Sequence, residues 1–524
     1  MKKKTVSFML TAVITAAVLA GCGGNSTAKT EAPETTENTA EEKGEAAEPE
    51  SKAGVSFTFF GAIWNPFVEQ SPILDAWKEN TGADIKFEWV QEDSYDTQLA
   101  ARVASKDLPD VIKKEDGKVN DLISQKLLLP ITDYLDEYCP NYMRWINEQD
   151  RTYLVNADDG EIYGLSLVQD NPAAYSTAIR TDWLERLNLE MPETWEDWVA
   201  VWTAFKEQDA NGNGNPNDEI PLAVRYDQFY MMLNLFGINS NGYFSVEDGK
   251  YIYDPENPKY ELFLDSVREL YEKGIFYNEY ITCTSDQIST IGSNNSLGSM
   301  INWAEQAKNY TLACREMGDE TALYSCVTPI AGPNGDAAIP ARAKVQQNTF
   351  FSIAAKDRLP EILTAIDYLF SDEGVILTNY GIEGETFEYV DNKPVVSAPY
   401  NESFATARGY DLIPTIIPFC FVQDSYMQYL LGGQSYEDLD EGGKSFVDGL
   451  TINNDYYYSM APSFATEAWI DNMDLVEKQV ALRDNYIMGK ITKEQYQSEY
   501  QKLKEAGLQA VIDQAAEAYA AVSK

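Results

Sequence analysis

The sequence predicts an α/β protein whose first sheet is mostly parallel and carries helices on both faces. Val55, Phe57 and Phe59, and again Ile85, Phe87 and Trp89, alternate with smaller or polar residues, the period of a strand. Between these runs, Ser71-Pro72 offers N-cap and first-turn chemistry. Ile73, Leu74 and Trp77 make one apolar stripe, and Gly82 ends the helix. A second helix around Thr97 to Ala104 leads to the apolar run Asp110-Val111-Ile112. This strand–helix–strand–helix–strand order is that of parallel strands joined by crossover helices.

Ahead of this body lies an export signal. Lys2, Lys3 and Lys4 form a charged start, Val6 to Ala20 is mostly apolar, and Leu19-Ala20-Gly21-Cys22 follows. The apolar run is too short for a spanning helix of about 20 residues. The last four residues resemble a bacterial lipobox, in which Cys22 becomes the lipidated first residue after removal of residues 1–21. The alternative is a plain secretory signal that happens to contain Cys. Gly23 to Gly54 has no aromatic residue and is rich in Thr, Ala, Glu and Gly, so residues 22–54 read as a lipidated Cys with an acidic, disordered tether. Its length spans ~30 Å as a coil and ~110 Å when stretched.

The 524 residues include 84 Asp+Glu, 40 Lys+Arg and no His, for a formal charge of −44. Such a balance excludes the basic face a nucleic-acid binder needs. The missing His removes every His-based triad and metal ligand. Five cysteines remain after Cys22, namely Cys139, Cys283, Cys314, Cys326 and Cys420, without CxxC spacing, so no zinc or redox site is expected. Cys314 and Cys326 either bridge or are buried apolar thiols. No later stretch is long and apolar enough to span a membrane.

Further along, Thr194 to Asp197 matches a capping box, followed by Trp195, Trp198, Val199, Trp202 and Phe205 at helical spacing. That stripe is expected to be core rather than a ligand platform. The last segment, Lys493 to Val522, is amphipathic through Tyr496, Tyr500, Leu503, Leu508, Ile512 and Tyr519, with a break at Gly507. No internal repeat is present.

Several segments, in this order and spacing, resemble the family 1 extracellular solute-binding lipoproteins of carbohydrate ABC importers. They are Leu108-Pro109-Asp110-Val111-Ile112, Leu127-Leu128-Leu129-Pro130-Ile131-Thr132-Asp133, Gly160-Glu161-Ile162-Tyr163-Gly164-Leu165, Arg180-Thr181-Asp182-Trp183-Leu184 with Pro192-Glu193-Thr194-Trp195, and Tyr380-Gly381-Ile382-Glu383-Gly384. The resemblance is to the long Gram-positive type and to alginate-oligosaccharide binders. It implies a two-lobed periplasmic-binding-protein-like fold (type II) with an interlobe ligand cleft and hinge strands. The implied division is 55–170 with 345–395 for one lobe and 171–344 with 396–524 for the other. Crossings are expected near Leu167 to Ala174, Lys344 to Asn348 and Asn392 to Tyr400.

Asp209-Ala210-Asn211-Gly212-Asn213-Gly214 begins as D-x-[DN]-x-[DN]-G, the opening of an EF-hand-type calcium loop. Calcium takes six to eight oxygens, which alternate carboxylates and amides supply while glycines allow the tight turn. The twelfth position is Ile220 rather than Glu. A Gly/Asn-rich turn without metal is the other reading. The alginate-binder resemblance implies a structural Ca²⁺ loop closed by an Asp-Glu pair. It carries Asp209, Asn211 and Asn213 directly, then Asn215, Asp218 and Glu219, with one residue more before the pair.

Sugar rings present apolar faces and a belt of hydroxyls, so a sugar cleft needs flat aromatics with short carboxylates and amides at the carboxyl ends of strands. Trp64 and Asn65 follow the first strand. Asn302, Trp303 and Glu305 follow the run Leu297 to Ile301, and Tyr226, Asp227 and Gln228 follow Leu222 to Arg225. Tyr380 and Glu383 join as candidates from the late turn. For each aromatic, core packing is the competing reading. The expected role is capture of a carbohydrate, an oligosaccharide, by a lipid-anchored monomer at the extracellular face of the membrane, for delivery to ABC permease subunits. A secreted carbohydrate-active enzyme or a surface sensor or adhesin shares the anchor and tether. No catalytic motif is recognisable.

Overall fold

The computed structural model describes residues 54–63, 72–115, 119–156, 159–166, 168, 175–341, 345, 347–396, 436–464 and 466–523. Cys22, its tether up to residue 53, Trp64, Asn65 and Cys420 lie outside the described residues. Lys52–Lys524 gather into one compact unit.

Among the described residues the strands are, in chain order, β1 (Ser56–Ile63), β2 (Asp84–Gln91), β3 (Val111–Glu115), β4 (Gly164–Leu165), β5 (Tyr175–Arg180), β6 (Ile220–Ala223), β7 (Phe244–Glu247), β8 (Lys250–Tyr253), β9 (Leu297–Trp303), β10 (Tyr324–Val327), β11 (Ile339–Pro340), β12 (Gln347–Phe351), β13 (Phe387–Val390), β14 (Lys393–Val396) and β15 (Tyr457–Tyr458). A first sheet runs β2-β1-β3-β12-β4 and a second β10-β5-β9-β6, with two-stranded pairs β11-β15, β13-β14 and β7-β8.

In the first sheet β1 is parallel to both β2 and β3, as the alternation and crossover order predict, and β12 inserts antiparallel beside β3. Phe57, Phe59 and Val111 face one core while Phe60 and Ile112 face another, so both faces are covered. The first crossover helix spans Pro72–Thr81 and buries Ile73, Leu74 and Trp77. Gly82 ends it at φ +68, a left-handed conformation that suits glycine. Trp77 Nε1 donates to the Ala365 carbonyl at 2.8 Å, tying this helix to the Leu359–Asp367 helix. The second crossover helix spans Glu92–Ser105, starting earlier than Thr97. Its opening turn, Glu92-Asp93-Ser94, has no apolar residue for a periodicity to register.

The second sheet is mixed. β5 is antiparallel to β9 and β10, and β6 is parallel to β9. Ile179, Leu222 and Ile301 face one core; Ala178, Ala223 and Met300 face another. The capping box forms as expected, with Thr194 and Asp197 bonded to each other's backbone amides at the start of the Trp195–Glu207 helix. Trp198, Trp202 and Phe205 are buried, and Trp202 Nε1 donates to Ser299 Oγ at 2.8 Å. The stripe is core.

Arg180, fully buried at the end of β5, ties this region together. It pairs with Asp182 through two contacts of 2.6 and 2.7 Å, reaches Asp319 at 3.1 Å and donates to Asn295 Oδ1. Its guanidinium lies 4.9 Å from the Trp183 ring centroid and 5.2 Å from that of Tyr324.

The C-terminal segment folds as helices Lys493–Leu503 and Gln509–Val522 joined by a π turn, with the break at Gly507. Gly507 has φ +141, and a Cβ there would sit 2.5 Å from Asn472 Oδ1. Tyr496 and Leu508 are buried, and Leu508 packs with the β7-β8 hairpin. Cys139, Cys283, Cys314 and Cys326 are free and buried, so the Cys314–Cys326 bridge is not formed.

The chain passes from β4 in the first sheet to β5 in the second, and from β11 back to β12 in the first. Of the expected crossing near Asn392 to Tyr400, Asn392 to Val396 belong to the β13-β14 hairpin, and residues 397–400 lie outside the described set.

Candidate functional site

The carboxyl ends of the parallel pair β6 and β9 share one edge of the second sheet. At that edge β9 ends on Trp303, which pairs across the ladder with Tyr175, the first residue of β5. Their ring centroids are 4.5 Å apart at 40°. Trp303 is partly buried, and the buried Asn302 accepts the Trp303 N–H at 2.9 Å. Glu305 opens the Glu305–Glu316 helix directly afterwards. β6 ends at Ala223, two residues sooner than Arg225, and is followed by the short turn Tyr226–Gln228.

The three residues of that turn diverge. The Tyr226 hydroxyl donates to Asp484 Oδ2 at 2.5 Å, and burial, then this bond, push its pKa up to about 12. Tyr280 donates to the other oxygen of Asp484, which also accepts from Arg483 Nε. The Tyr226 hydroxyl is therefore engaged in holding the Met473–Ile487 helix. Asp227 is exposed and grips Arg225 with both oxygens, at 3.0 and 2.7 Å. Gln228 is buried, and its Oε1 has no hydrogen-bond partner. Burial raises the pKa of the nearby buried Tyr310, which Ser289, Arg225 and Asn302 partly offset.

Sequence reasoning missed three contributors. Tyr175 is the other half of the aromatic pair. Asn453 is fully buried and donates to the Tyr175 carbonyl and to Ser176 Oγ, at 3.4 and 3.1 Å. Tyr230 sits beside Tyr175, Tyr458 and Asp227, and its phenol is raised first by burial. A strand starting with Tyr after the first crossing was the available signal for Tyr175; Asn453 carries no local signal. Tyr380 and Glu383 stand apart from this edge. Tyr380 packs on Phe387 and Ile376 in a small cluster of its own, and Glu383 is exposed on the following turn. Trp64 and Asn65 lie outside the described residues.

The 209–219 loop sits after the Trp195–Glu207 helix and leads into β6. Gly214 N–H donates to Asp209 Oδ2 at 2.9 Å, Asn213 N–H to Asn211 Oδ1, and Asn215 N–H to Asn213 Oδ1. Asp218 receives the amide groups of Asn211 and Asn213 at 3.2 and 2.8 Å. Asn215 is exposed. Among the described residues no three acidic or Cys side chains converge as a metal group. The loop nevertheless holds three buried oxygens that no well-aligned hydrogen bond satisfies, Asp209 Oδ1 and both oxygens of Glu219, with only the backbone amides of Ala210, Asn211 and Glu219 itself turned toward the latter. Burial pushes the Glu219 carboxyl above its usual pKa. Buried acidic oxygens that lack well-aligned donors, in a loop that also carries Asn211, Asn213 and Asp218, are of the oxygen chemistry a hard cation takes.

Residues 61–375 match the model of the bacterial extracellular solute-binding protein family. Lipoprotein LipO of Bacillus subtilis (strain 168) is 28% identical over 334 residues, covering 62% of this chain and 65% of LipO. The fructooligosaccharide ABC transporter substrate-binding protein FusA of Streptococcus pneumoniae serotype 4 is 29% identical over 371 residues, covering 64% of this chain and 63% of FusA. The chain thus spans slightly less than two thirds of either relative. Among solved structures, alginate-binding protein AlgQ2 without calcium ion superposes with a TM-score of 0.73 at 20% identity, over 89% of this chain and 98% of AlgQ2. An EF-hand mutant of FusA in complex with fructo-nystose gives 0.68 at 20% identity, over 89% and 98%. These superpositions show the fold: two-lobed, periplasmic-binding-protein-like and α/β.

Proposed function

Because the chain belongs to the bacterial extracellular solute-binding protein family, we propose that it captures an oligosaccharide between its lobes and delivers it to the permease of an ABC importer. The observation that carries this is the Tyr175–Trp303 pair at the carboxyl ends of β6 and β9. Two flat rings beside a carboxylate and amides suit the apolar face and hydroxyl belt of a sugar. The names of FusA and AlgQ2 support the same ligand class. Residues 55–170 with 345–395 form one lobe and 171–344 with 396–524 the other, which the separate cores of the two sheets support. The role is binding rather than catalysis. A thermal-shift screen of mono- and oligosaccharides, uronic acids included, tests it: a ligand of the folded state raises the melting temperature by mass action. No shift from any saccharide overturns the reading.

In the same reading Cys22 carries the acyl chains that hold this monomer at the outer face of the membrane. Cys22→Ser is expected to release a folded protein, since the tether has no apolar face of its own. Retention in the membrane fraction after a high-salt wash excludes the anchor.

The 209–219 loop takes a structural calcium ion, with Asp209, Asn211, Asn213, Asp218 and Glu219 as its oxygen donors and Asn215 at its rim. A bound cation supplies the positive charge that the buried Asp209 and Glu219 oxygens lack. At 100-fold excess over its dissociation constant such an ion adds about 2.7 kcal/mol. EDTA is expected to lower the melting temperature and calcium to restore it. The response should vanish in Asp209→Ala; an unchanged EDTA response in that variant moves the ion elsewhere.

A further inference from the structure

Asn-Gly pairs carry a chemistry of their own. A glycine amide nitrogen, with no side chain to hinder it, can attack the side chain of the Asn before it, so asparagine is labile there. The chain has four such pairs, Asn211-Gly212, Asn213-Gly214, Asn241-Gly242 and Asn334-Gly335, all among the described residues. Only at Asn213 does the attacking amide meet a carboxylate: Gly214 N–H donates to Asp209 Oδ2 at 2.9 Å. Gly212 N–H donates to the Asp209 carbonyl at 3.3 Å, Gly335 N–H to the Gly332 carbonyl at 2.9 Å, and Gly242 N–H to Ser240 Oγ at 2.8 Å. The other reacting atoms of Asn213 are also held. Its Oδ1 accepts the Asn215 N–H at 2.7 Å, and its Nδ2 donates to Asp218 Oδ2 at 2.8 Å. Asn213 and Gly214 are exposed, so water reaches them, whereas Asn211 is buried. Asn334 is the natural comparison. It is exposed and its Nδ2 donates to Asp336 Oδ2 at 2.8 Å, but its glycine lacks the carboxylate.

From this we propose that Asn213 is a self-deamidating position, turned into an acidic residue by its own loop, and that a cation in the loop protects it. The Gly214 nitrogen attacks Asn213 Cγ while its proton passes to Asp209 Oδ2. The Asn215 N–H holds the oxygen on which negative charge develops. The Cγ–Nδ2 bond then breaks, ammonia leaves with the proton that Asp209 took up, and a succinimide remains. One water molecule opens that ring. Opening at Cγ gives aspartate; opening at the backbone carbonyl gives isoaspartate. Either product replaces a neutral amide by a carboxylate and adds one negative charge beside Asp209 and Asp218. Ligand charge tunes calcium affinity in such loops, so the change alters the strength of the site. Protection is competition: a cation that takes the Asp209 and Asn213 oxygens as ligands withdraws both from the reaction. The protection rests on the calcium reading; the reaction does not.

The test incubates the full chain at neutral pH and physiological temperature, in EDTA or in excess calcium. Each Asn-Gly peptide is followed by the small mass gain of exchanging an amide for a carboxylate, with an isoaspartate methyltransferase assay as second readout. In EDTA, Asn213 is expected to react about tenfold faster than Asn334 or more, a modest share of what a positioned base supplies. In urea with EDTA the two should react at similar rates, because the unfolded chain no longer brings Asp209 to Gly214. Asp209→Asn should lower the Asn213 rate to that of Asn334 in the folded chain. Equal rates at Asn213 and Asn334 in the folded, metal-free wild type overturn the proposal. An Asp209→Asn chain that is folded by circular dichroism and reacts at Asn213 as fast as the wild type also overturns it. Should that variant not fold, the urea comparison decides: a wild-type ratio of Asn213 to Asn334 that does not fall on unfolding overturns the proposal as well. Calcium should slow Asn213 and leave Asn334 unchanged. Fast reaction at Asn213 in EDTA that calcium does not slow strikes the protection and the calcium reading together, and leaves the deamidation standing.

Discussion

Arg180→Leu is expected to destabilise the protein by about 3–5 kcal/mol, the cost of breaking a buried ion pair from one side. The guanidinium is fully buried, and its loss strands Asp182, Asp319 and the Asn295 amide together. It also removes a cation from between the Trp183 and Tyr324 rings. Lysine is no substitute, because one ammonium cannot make the two-point contact with Asp182 while reaching Asp319. Since native stabilities are about 5–15 kcal/mol, the variant should sit near the edge of folding at physiological temperature. Urea unfolding followed by near-UV circular dichroism measures it, and a loss below about 1 kcal/mol would show that the network adds little beyond packing. The pH dependence has a definite sign. Burial pushes Asp319 upward, but hydrogen bonding from Thr321 and the charge of Arg180 outweigh it, so its native pKa is lowered. The linked stability is full above the ordinary unfolded carboxylate value of about 3.9 and fades as pH falls toward the depressed native one.

The largest effect on binding is expected at Trp303. Truncating a central aromatic anchor typically costs about 2 kcal/mol or more, a ~30-fold loss of affinity. Trp303→Ala removes the ring that meets Tyr175 at 4.5 Å, and Tyr175→Ala should cost less, since its backbone stays held by Asn453. Trp303→Phe, which keeps a flat face, should recover most of the binding. Calorimetry with the ligand found in the saccharide screen checks the series. Full affinity in a folded Trp303→Ala protein would remove this edge from the site while leaving the family assignment intact.

The parts of the fold that were legible are those written in neighbouring residues. Phe57 and Phe59 alternate, Gly82 follows its helix, and Thr194 faces Asp197 three residues on, so local chemistry alone locates β1 and both helix ends. The parts that were not legible depend on partners far along the chain. Residues Gln347–Phe351 insert beside β3 from over 230 positions away, and nothing in their composition names that neighbour. The same limit applies to the site. Trp303 was found because a short apolar strand precedes it, but its ring partner comes from β5 and its backbone support from Asn453. Tyr226 looks like a ligand contact in sequence, yet its hydroxyl is engaged by Asp484, 258 residues later. Tyr380 shows the same ambiguity at shorter range, since its ring has Phe387 seven residues on. Aromatic residue type announces a flat surface; only tertiary packing decides which face stays available.

The four inward-facing thiols give the protein a pair of internal clocks. Cys139 belongs to the core of the first sheet, and Cys283, Cys314 and Cys326 to one core of the second. With Cys22 and Cys420 changed to Ser, an alkylating reagent can react only during an opening that brings water to one of these cores. The mass-tag rate at each position then equals the intrinsic thiol rate scaled by the open fraction of that region. Comparing Cys139 with Cys314 would time the two halves against each other in a single tube. Adding a saccharide would slow both clocks only if the ligand bridges them.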